Sequence, residues 1–394
     1  MKRGIVLVAL VIGGCATAPA PPPQDAVPFQ LLHAQVWVPG TIEAAAPSLF
    51  ILDTGAQATI LADDYARALG LAVLPSDYTA TGPTGNPIDL SVVNIIHVQL
   101  GGETFTLGPV GVLSMTSISL RQGRPLTAVL GHDLLVQRIT EIDYEQRVVR
   151  FHDPETYVAP ADFISVPFRF NQGLPVIDAE IAMDDGRKLP VRVGVDSGDR
   201  GALDLKQAFA DENHLETSHG IEVSFGLNIG GSIRSRIFRI AQLDVAGASL
   251  RLPITTSTST SGGAFADPEI DGLLGAEVLR RFTLVVDDRH SRLFIRPNRH
   301  MDEPFDFDAS GIVMDARDNH FDHTIISAVI PHSPADDAGV RPGDELVAID
   351  GHAALPAQFP AIRERFTVPN QRHVLKLMRD GRRFDVAIVT RTLL

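Results

Sequence analysis

Residues 50–56 read FILDTGA, an apolar run that ends in an acid, a hydroxyl residue and a glycine. A carboxylate at the end of a buried strand is costly to desolvate unless another group pairs with it. The best partner is Asp196, which occupies the same place in the stretch VGVDSG (193–198). We therefore expect the fold to bring Asp53 and Asp196 together.

The similarity between the two acid stretches continues along the chain. Each acid precedes a short helical segment, ADDYARALG (62–70) in the first copy and LKQAFADEN (205–213) in the second. We expect Gly70 and Asn213 to close these helices, because both residue types tolerate left-handed backbone geometry.

Two further features repeat in the same order. Gly-rich turns between alternating segments predict a hairpin in each copy, at 81–90 and 224–233. Each copy then reaches an apolar-Leu-Gly motif, VLG (129–131) or LLG (273–275). Agreement over this length indicates an internal duplication, and the short, turn-rich segments between the motifs indicate β-structure.

The expected fold class is therefore mainly β, with two pseudo-symmetric closed β-lobes at 30–160 and 161–300. Residues 305–394 do not continue the repeat. Their stretch SPADDAGVRPGDELVAIDG (333–351) predicts a short helix that Ser333 caps, followed by turns and strands. We expect a small α/β module there. The Ser/Thr-rich run 255–263 is expected to be a surface loop.

The N-terminus has the pattern of a targeting segment. A basic start (Met1 to Arg3), eight apolar residues (Ile5 to Ile12) and Gly-Gly-Cys15 suit a signal peptide at 1–15 and resemble a bacterial lipobox. A plain secretion signal with an incidental cysteine is the alternative. Residues 16–29 are Pro-rich and predict an extended tether. We expect a cell-envelope protein, lipid-anchored through Cys15 at the outer membrane or the periplasmic face.

Charge and cysteine content exclude some function classes. The 394-residue chain has a formal net charge of −14, which argues against nucleic acid as a partner. Cys15 is the single cysteine, so the chain forms no internal disulfide.

Two adjacent carboxylates cannot both ionise cheaply, so the pair shares a proton and combines a general base with a general acid. Such a pair can activate water against a peptide bond without a metal or another cofactor. Thr54 and Ser197 could bond across the seam between the lobes. Gly55 and Gly198 would let backbone amides approach the carboxylates.

The duplicated Asp-Thr/Ser-Gly pattern, with its hairpins and Leu-Gly motifs, resembles the retropepsin-like aspartic proteases over roughly residues 30–300. This resemblance implies a pair of β-barrel-like lobes, hairpins that act as flaps and a peptide or protein substrate. It also implies a catalytic dyad of Asp53 and Asp196. Thr54, Gly55, Ser197 and Gly198 would support that dyad.

The segment 333–351 resembles a PDZ domain of the bacterial type. That resemblance implies a carboxylate-binding loop near Ser310, Gly311, Ile312 and Val313, where the C-terminus of a peptide partner adds as a β-strand. A PDZ domain at 305–394 would recruit or regulate the substrate.

The second acid motif departs from the family by continuing with Asp199 and Arg200. A third acid would raise the proton affinity of the dyad, unless Arg200 pairs with Asp199 and cancels the effect. This departure leaves a second hypothesis open, namely a non-catalytic peptide-binding adaptor of the envelope on the same fold.

Other candidate sites have structural interpretations. Asp143 and Asp287 lie between strand-like runs and are interpreted as turn residues. The stretch HFDH (320–323) is better explained by a solvated turn than by a metal site. Ser197 lacks the Gly-x-Ser-x-Gly elbow of a serine nucleophile.

Overall fold

The structure is a computed structural model that describes residues 26–394, apart from 83–84, 172, 184, 217–219, 229–230 and 261. The side chains of 224–228 and 231–233 also lie outside the description. The predicted signal peptide, Cys15 and residues 16–25 of the predicted tether precede the described residues. Within the described part, no helix has both the length and the apolar character that crossing a bilayer requires.

The N-terminal lobe is built on a ten-stranded sheet with strand order β6-β7-β10-β5-β11-β4-β3-β8-β9, in which β2 also pairs with β3. The elements up to the end of this lobe are β1 (Ala26–Pro28), β2 (Gln30–Leu32), β3 (Gln35–Ile42), β4 (Ser48–Leu52), β5 (Ile60–Ala62), α1 (Asp63–Ala68), β6 (Leu74–Thr81), β7 (Pro87–Val93), β8 (Ile96–Leu100), β9 (Glu103–Leu107), β10 (Val110–Leu113), α2 (Thr116–Gln122), β11 (Ala128–Leu130), α3 (His132–Leu135), β12 (Ile139–Asp143) and β13 (Val148–His152).

The C-terminal lobe repeats this topology strand for strand. Its ten-stranded sheet has the order β19-β20-β23-β18-β24-β17-β16-β21-β22, with β15 paired to β16. Its elements are β14 (Ile164–Pro167), β15 (Arg169–Asn171), β16 (Leu174–Ala182), β17 (Lys188–Val195), β18 (Leu203–Lys206), α4 (Gln207–Glu212), β19 (Ile221–Asn228), β20 (Gly231–Arg239), β21 (Gln242–Val245), β22 (Ala248–Arg251), β23 (Ile254–Thr258), a 3-10 helix (Gly263–Ala266), β24 (Gly272–Leu274), α5 (Ala276–Leu279), β25 (Phe282–Asp287) and β26 (Arg292–Pro297).

A third, six-stranded sheet joins the lobes, with the order β1-β13-β12-β25-β26-β14. Its central pair is β12 from one copy and β25 from the other, antiparallel with Thr140 opposite Val286. Buried residues of both lobes form one continuous apolar cluster, which includes Ile142 and Leu284. The predicted duplication and the mainly β fold class are therefore confirmed.

The C-terminal module has its own sheet, with the order β27-β28-β29-β31-β32, and its own apolar core. Ser333 caps its first helix as predicted, since Asp336 N donates to Ser333 Oγ at 3.3 Å. Its elements are β27 (Ile312–Ala316), β28 (Thr324–Val329), α6 (Pro334–Asp337), β29 (Glu345–Ile349), β30 (His352–Ala353), a 3-10 helix (Pro356–Gln358), α7 (Phe359–Phe366), β31 (Arg372–Arg379) and β32 (Arg382–Val389).

The module packs against α2 of the N-terminal lobe. A Cβ atom on Gly123, which ends α2 with φ near +70°, would overlap the Pro356 carbonyl and the Phe359 ring. Arg121 Nε lies 3.7 Å from Asp315 Oδ1 of β27, and Arg363 of α7 approaches the His33 ring at 3.0 Å. The module is thus docked beside the start of β3 and the end of α2.

Three local expectations were wrong. Residues 26–28 of the predicted tether form β1, because Val27 and the following Phe29 are buried in the core. Residues 255–258 of the predicted surface loop lie in β23, and Thr255 is fully buried. Asn213 keeps a negative φ at the end of α4, and the following His214 takes the left-handed conformation instead.

The segment between the C-terminal lobe and the module is held by a fully buried arginine, Arg281. Its guanidinium donates to the carbonyl oxygens of Glu277, His300, Glu303 and Pro304 and lies 3.8 Å over the Phe305 ring. Each of these hydrogen bonds ends on a backbone carbonyl oxygen, so Arg281 orders the backbone of 300–305.

We predict that Arg281→Met lowers the free energy of unfolding by about 3 kcal/mol, because several buried carbonyl groups lose their donor. Urea unfolding followed by circular dichroism measures this loss. The control is Arg251→Met at an exposed position of β22. Equal stability of the two variants would contradict the anchoring role of Arg281.

Candidate active site

The two acids follow strands that are fixed in the same way. β4 pairs in parallel with β11, and Asp53 N donates to Leu130 O at 2.9 Å. β17 pairs in parallel with β24, and Asp196 N donates to Leu274 O at 3.0 Å. The apolar-Leu-Gly motifs therefore hold the first peptide group of each acid loop.

The structure brings Asp53 and Asp196 together at the seam between the lobes, where their side chains hydrogen-bond each other. Gly55 N donates to Asp53 Oδ1 at 2.8 Å, and Gly198 N donates to Asp196 Oδ1 at 2.9 Å. A Cβ atom on either glycine would overlap the carboxyl group of the opposite lobe. Glycine is thus required here for close approach.

Thr54 and Ser197 form a reciprocal set of hydrogen bonds beneath the acids. Thr54 N donates to Ser197 Oγ and Ser197 N donates to Thr54 Oγ1, both at 3.0 Å. Each hydroxyl then donates across the seam, Thr54 Oγ1 to Val195 O at 2.7 Å and Ser197 Oγ to Leu52 O at 2.9 Å. Both side chains are buried, so the two acid loops are locked to each other.

The environment raises the proton affinities of both acids. Burial raises the pKa of Asp53, and hydrogen bonds from Gly55 and its other neighbours oppose this effect. Burial and then the negative charge of Asp53 raise the pKa of Asp196 well above its ordinary value. The two carboxylates therefore share one proton and titrate as a coupled pair.

A third carboxylate adjoins the pair, as the sequence indicated. Asp199 N donates to Asp196 Oδ1 at 2.9 Å, and Asp199 Oδ1 accepts from Gly201 N at 3.0 Å. Burial and the charge of Asp196 raise the pKa of Asp199 to about 7. No ion pair between Arg200 and Asp199 is found among the described residues, so the expected cancellation is limited to a weaker charge effect.

The acids lie on a cavity of about 550 Å³ between the lobes. Thr81, at the end of the first strand of the predicted hairpin 81–90, lines it, as does Ser235 from β20 beyond the second hairpin. Both hairpins are present, as β6–β7 and β19–β20, although their tips at 83–84 and 229–230 lie outside the described residues. The hairpins thus border the cavity from both lobes.

Sequence reasoning missed several residues of this site. Gln35 is buried and its amide donates across the seam to Gly198 O, while Gln122 Nε2 donates to Gln35 Oε1 at 2.8 Å. Asp204 also lines the cavity, and burial raises its pKa well above the ordinary value. The contact between Gln35 and Gly198 joins positions 163 residues apart, so no local sequence pattern could predict it.

The predicted carboxylate-binding loop of the C-terminal module is occupied by the chain itself. Asp308 Oδ1 accepts from Ser310 N at 2.9 Å and from Gly311 N at 2.5 Å, and Ile312 N donates to Ser310 Oγ at 3.1 Å. Val313 follows on β27, partly exposed. The loop amides therefore already have partners, and one of these partners is a carboxylate.

The remaining candidates have structural partners. Asp143 accepts from Gln146 N and Asp287 from His290 N, the contacts of turn residues. His323 Nδ1 bonds Glu345 Oε1 at 2.8 Å. In the described part of the chain, no group of three or more His, Cys, Asp or Glu is placed to hold a metal.

We predict a coupling of about 1–2 kcal/mol between Thr54 and Ser197 in a double-mutant cycle of Thr54→Val and Ser197→Ala, because the hydroxyls act as one network. Urea unfolding measures the four stabilities. Thr140→Val is the matched control, since the buried Thr140 hydroxyl has no hydrogen-bond partner among the described residues. Additive effects of the two site substitutions would contradict the network.

A second prediction concerns pH. Because the pKa of Asp199 is about 7 in the folded protein and 3.8 is its ordinary value, the folded state binds more protons between these values. Asp199 therefore lowers stability as pH rises from about 4 to 7, by at most about 1.4 kcal/mol per pH unit. Asp199→Asn should raise the unfolding midpoint at pH 8 and leave it unchanged at pH 4.

The exposed Asp178, whose side chain is 80% accessible, provides the control substitution Asp178→Asn. If Asp199→Asn raised the unfolding midpoint equally at pH 4 and pH 8, the charge of Asp199 would not be the cause of the gain in stability.

Two segments of the chain match models of known protein families. Residues 38–134, which include Asp53, match a family model described as aspartyl protease, and residues 325–375 match one described as PDZ domain. No curated protein matches the chain. A solved structure, the aspartic proteinase from Irpex lacteus, is similar at 14% identity, over 71% of this chain and 99% of that chain, with a TM-score of 0.42. Part of the N-terminal lobe thus matches the aspartyl protease family, and part of the C-terminal module matches the PDZ family.

Proposed function

We propose that this protein is an aspartic endopeptidase that hydrolyses peptide bonds through Asp53, Asp196 and an activated water. The observation that carries this proposal is the contact between the two carboxylates, which come from different lobes and meet on a cavity of about 550 Å³. Hydrogen bonds of Thr54 and Ser197 lock the two loops that bear the carboxylates to each other.

We propose Asp53 as the base and Asp196 as the acid, since the pair holds one shared proton. The ionised Asp53 takes a proton from water as the water oxygen attacks the peptide carbonyl carbon, while the Asp196 proton bonds the carbonyl oxygen. A tetrahedral diol results. The proton on Asp53 then passes to the peptide nitrogen, the C–N bond breaks, and Asp196 regains its proton as the new carboxyl group forms.

The substrate is proposed to lie extended between the lobes, under the β6–β7 and β19–β20 hairpins. Closure of hairpins over a cleft excludes water and fixes the scissile bond near the acids. The PDZ domain would recruit or regulate the protein substrate. Recruitment of a peptide C-terminus at Gly311 and Ile312 would require Asp308 to leave the loop amides.

The proposed location is the cell envelope, with the chain lipid-anchored through Cys15. Its support is the sequence pattern of Lys2 and Arg3, an apolar run and Gly-Gly-Cys. Metabolic labelling with a palmitate analogue, compared between wild type and Cys15→Ala, tests this part separately.

We predict that Asp53→Asn and Asp196→Asn each lower kcat/KM for peptide hydrolysis by about 10²–10⁴-fold, because each removes a group that transfers a proton. The assay is cleavage of a peptide library by residues 26–394 between pH 3 and 7, followed by mass spectrometry. The wild-type profile should be bell-shaped, since Asp53 must be ionised and Asp196 protonated.

The matched control is Asp178→Asn, a substitution of an exposed acid, which should leave the rate unchanged. If peptides bind to the wild type but are recovered intact throughout this pH range, the endopeptidase proposal fails and the adaptor hypothesis is favoured. Asp199, the third acid beside the dyad, is the observation that motivates this alternative.

A further inference from the structure

Three consecutive residues at the end of α2 contact three different parts of the molecule. Arg121 Nε lies 3.7 Å from Asp315 Oδ1 on β27 of the C-terminal module. Gly123 packs so closely on the module that a Cβ atom there would overlap a carbonyl oxygen just before α7. Between them, Gln122 is buried beside the cavity of the acids, and its Nε2 donates to Gln35 Oε1 at 2.8 Å. The end of α2 therefore lies between the module and the candidate active site.

The other glutamine of this pair also lies next to a residue that the module contacts. Gln35 begins β3, and His33 is two positions before it, after the end of β2. Arg363 of α7 lies 3.0 Å from the ring nitrogens of His33. Burial and the charge of Arg363 lower the pKa of His33, so the ring is neutral and can accept a hydrogen bond from the guanidinium. The module thus contacts the chain beside both Gln35 and Gln122.

The pair of glutamines ends on the second acid loop. The peptide group between Gly198 and Asp199 is bonded on both sides, because its oxygen accepts from Gln35 Nε2 and its N–H donates to Asp196 Oδ1 at 2.9 Å. A peptide group is planar, so a bond that fixes its oxygen also orients its N–H. Gln35 and Gln122 are each 4% exposed, so water does not readily replace these partners.

We propose that Gln35 and Gln122 are positioning residues of the second acid loop, and that the PDZ domain holds them in place by docking on the end of α2 and on His33. When the domain moves away, the two amides loosen and the N–H beside Asp196 loses its orientation. The geometry of the acids thereby depends on a domain outside the cleft. The consequence for hydrolysis rests on the proposed function, whereas the effect on the acid loop does not.

A pair of glycines allows a matched test of the docking. Gly123→Ala adds a Cβ atom that overlaps the module and should force it away from α2. Gly70→Ala is the control. Gly70 follows α1 with φ near +69° and Gly123 follows α2 with φ near +70°, so both alanines strain the backbone alike. Among the described residues, no atom lies within 4 Å of a Cβ on Gly70.

Hydrogen exchange followed by mass spectrometry measures how firmly the second acid loop is held, without any substrate. The amides of residues 196, 197, 198, 199 and 201 all donate hydrogen bonds, so each has protection to lose. We expect Gly123→Ala and Gln35→Leu each to speed exchange of 196–201 about tenfold, as the loss of one hydrogen bond implies. Gly70→Ala should leave this exchange unchanged.

The double variant Gly123→Ala/Gln35→Leu tests whether the docking acts through the amides. It should exchange no faster than Gln35→Leu alone, because the second change breaks a link that is already lost. Two independent effects would instead multiply to about a hundredfold.

A second docking variant leaves the backbone of α2 untouched and serves if the urea midpoint shows that Gly123→Ala is unfolded. Asp315→Asn removes the charge beside Arg121, and we expect exchange of 196–201 to become about threefold faster. Asp337→Asn is its control, since the Asp337 side chain is exposed and pairs with Arg391 inside the module.

Hydrolysis gives a further measurement that a general loss of stability would not change. The N–H of Asp199 lowers the pKa of Asp196, so a looser peptide group raises that pKa. The alkaline side of the pH profile of kcat should therefore move to higher pH in Gly123→Ala and stay in place in Gly70→Ala.

Unchanged exchange of 196–201 in the folded docking variants, or a hundredfold effect in the double variant, would overturn the inference. Faster exchange in a protein that cleaves no peptide would contradict the endopeptidase proposal and leave the role of the PDZ domain standing. Peptide cleavage together with wild-type exchange in both docking variants would do the reverse.

Discussion

Two carboxylates at one buried seam constrain the rest of this structure. Like charges so close together cannot both persist, so the pair must hold a proton and must also be kept from moving apart. Gly55 and Gly198 provide the space, and the hydroxyls of Thr54 and Ser197 hold the two loops together. The two ten-stranded sheets support this contact, because β4 of one sheet and β17 of the other each end directly before one of the acids.

The duplication is close in topology and unequal in chemistry. The first acid loop continues with small and neutral residues, whereas the second continues with Asp199 and Arg200. Gln35 then reaches from the first lobe to Gly198 without a counterpart from the second lobe among the described contacts. Asp53 and Asp196 therefore lie in different surroundings, although the loops that bear them are related by the duplication.

The sequence predicted those features whose short motifs occur in both copies of the duplication. The acid motifs, the Leu-Gly strands and the hairpins occur twice in the same order, so the duplication predicted the two lobes and placed the proposed dyad. Composition was misleading at 255–258, where serine and threonine suggested a loop. Thr255 is nevertheless suited to a buried strand, and the Ser257 hydroxyl finds Glu216 at 2.5 Å.

Features that depend on distant residues could not be predicted in this way. The contacts of Arg121 with Asp315 and of Arg363 with His33 join residues that are far apart in the sequence, and nothing in any one of these stretches points to the others. The occupied loop at Asp308 is different, because Asp-x-Ser-Gly (308–311) is a local signature for a side chain that caps its own turn.

The parallel strands behind the acids also set an order of events during synthesis. β4 is complete at Leu52, but its neighbour β11 ends at Leu130, and the partner of β17 ends at Leu274. The seam further needs β25, which ends at Asp287. Since a ribosome releases the chain from its N-terminus, the paired acids cannot assemble until most of the chain has been made. A nascent chain therefore has no formed cleft while its own segments are still unfolded.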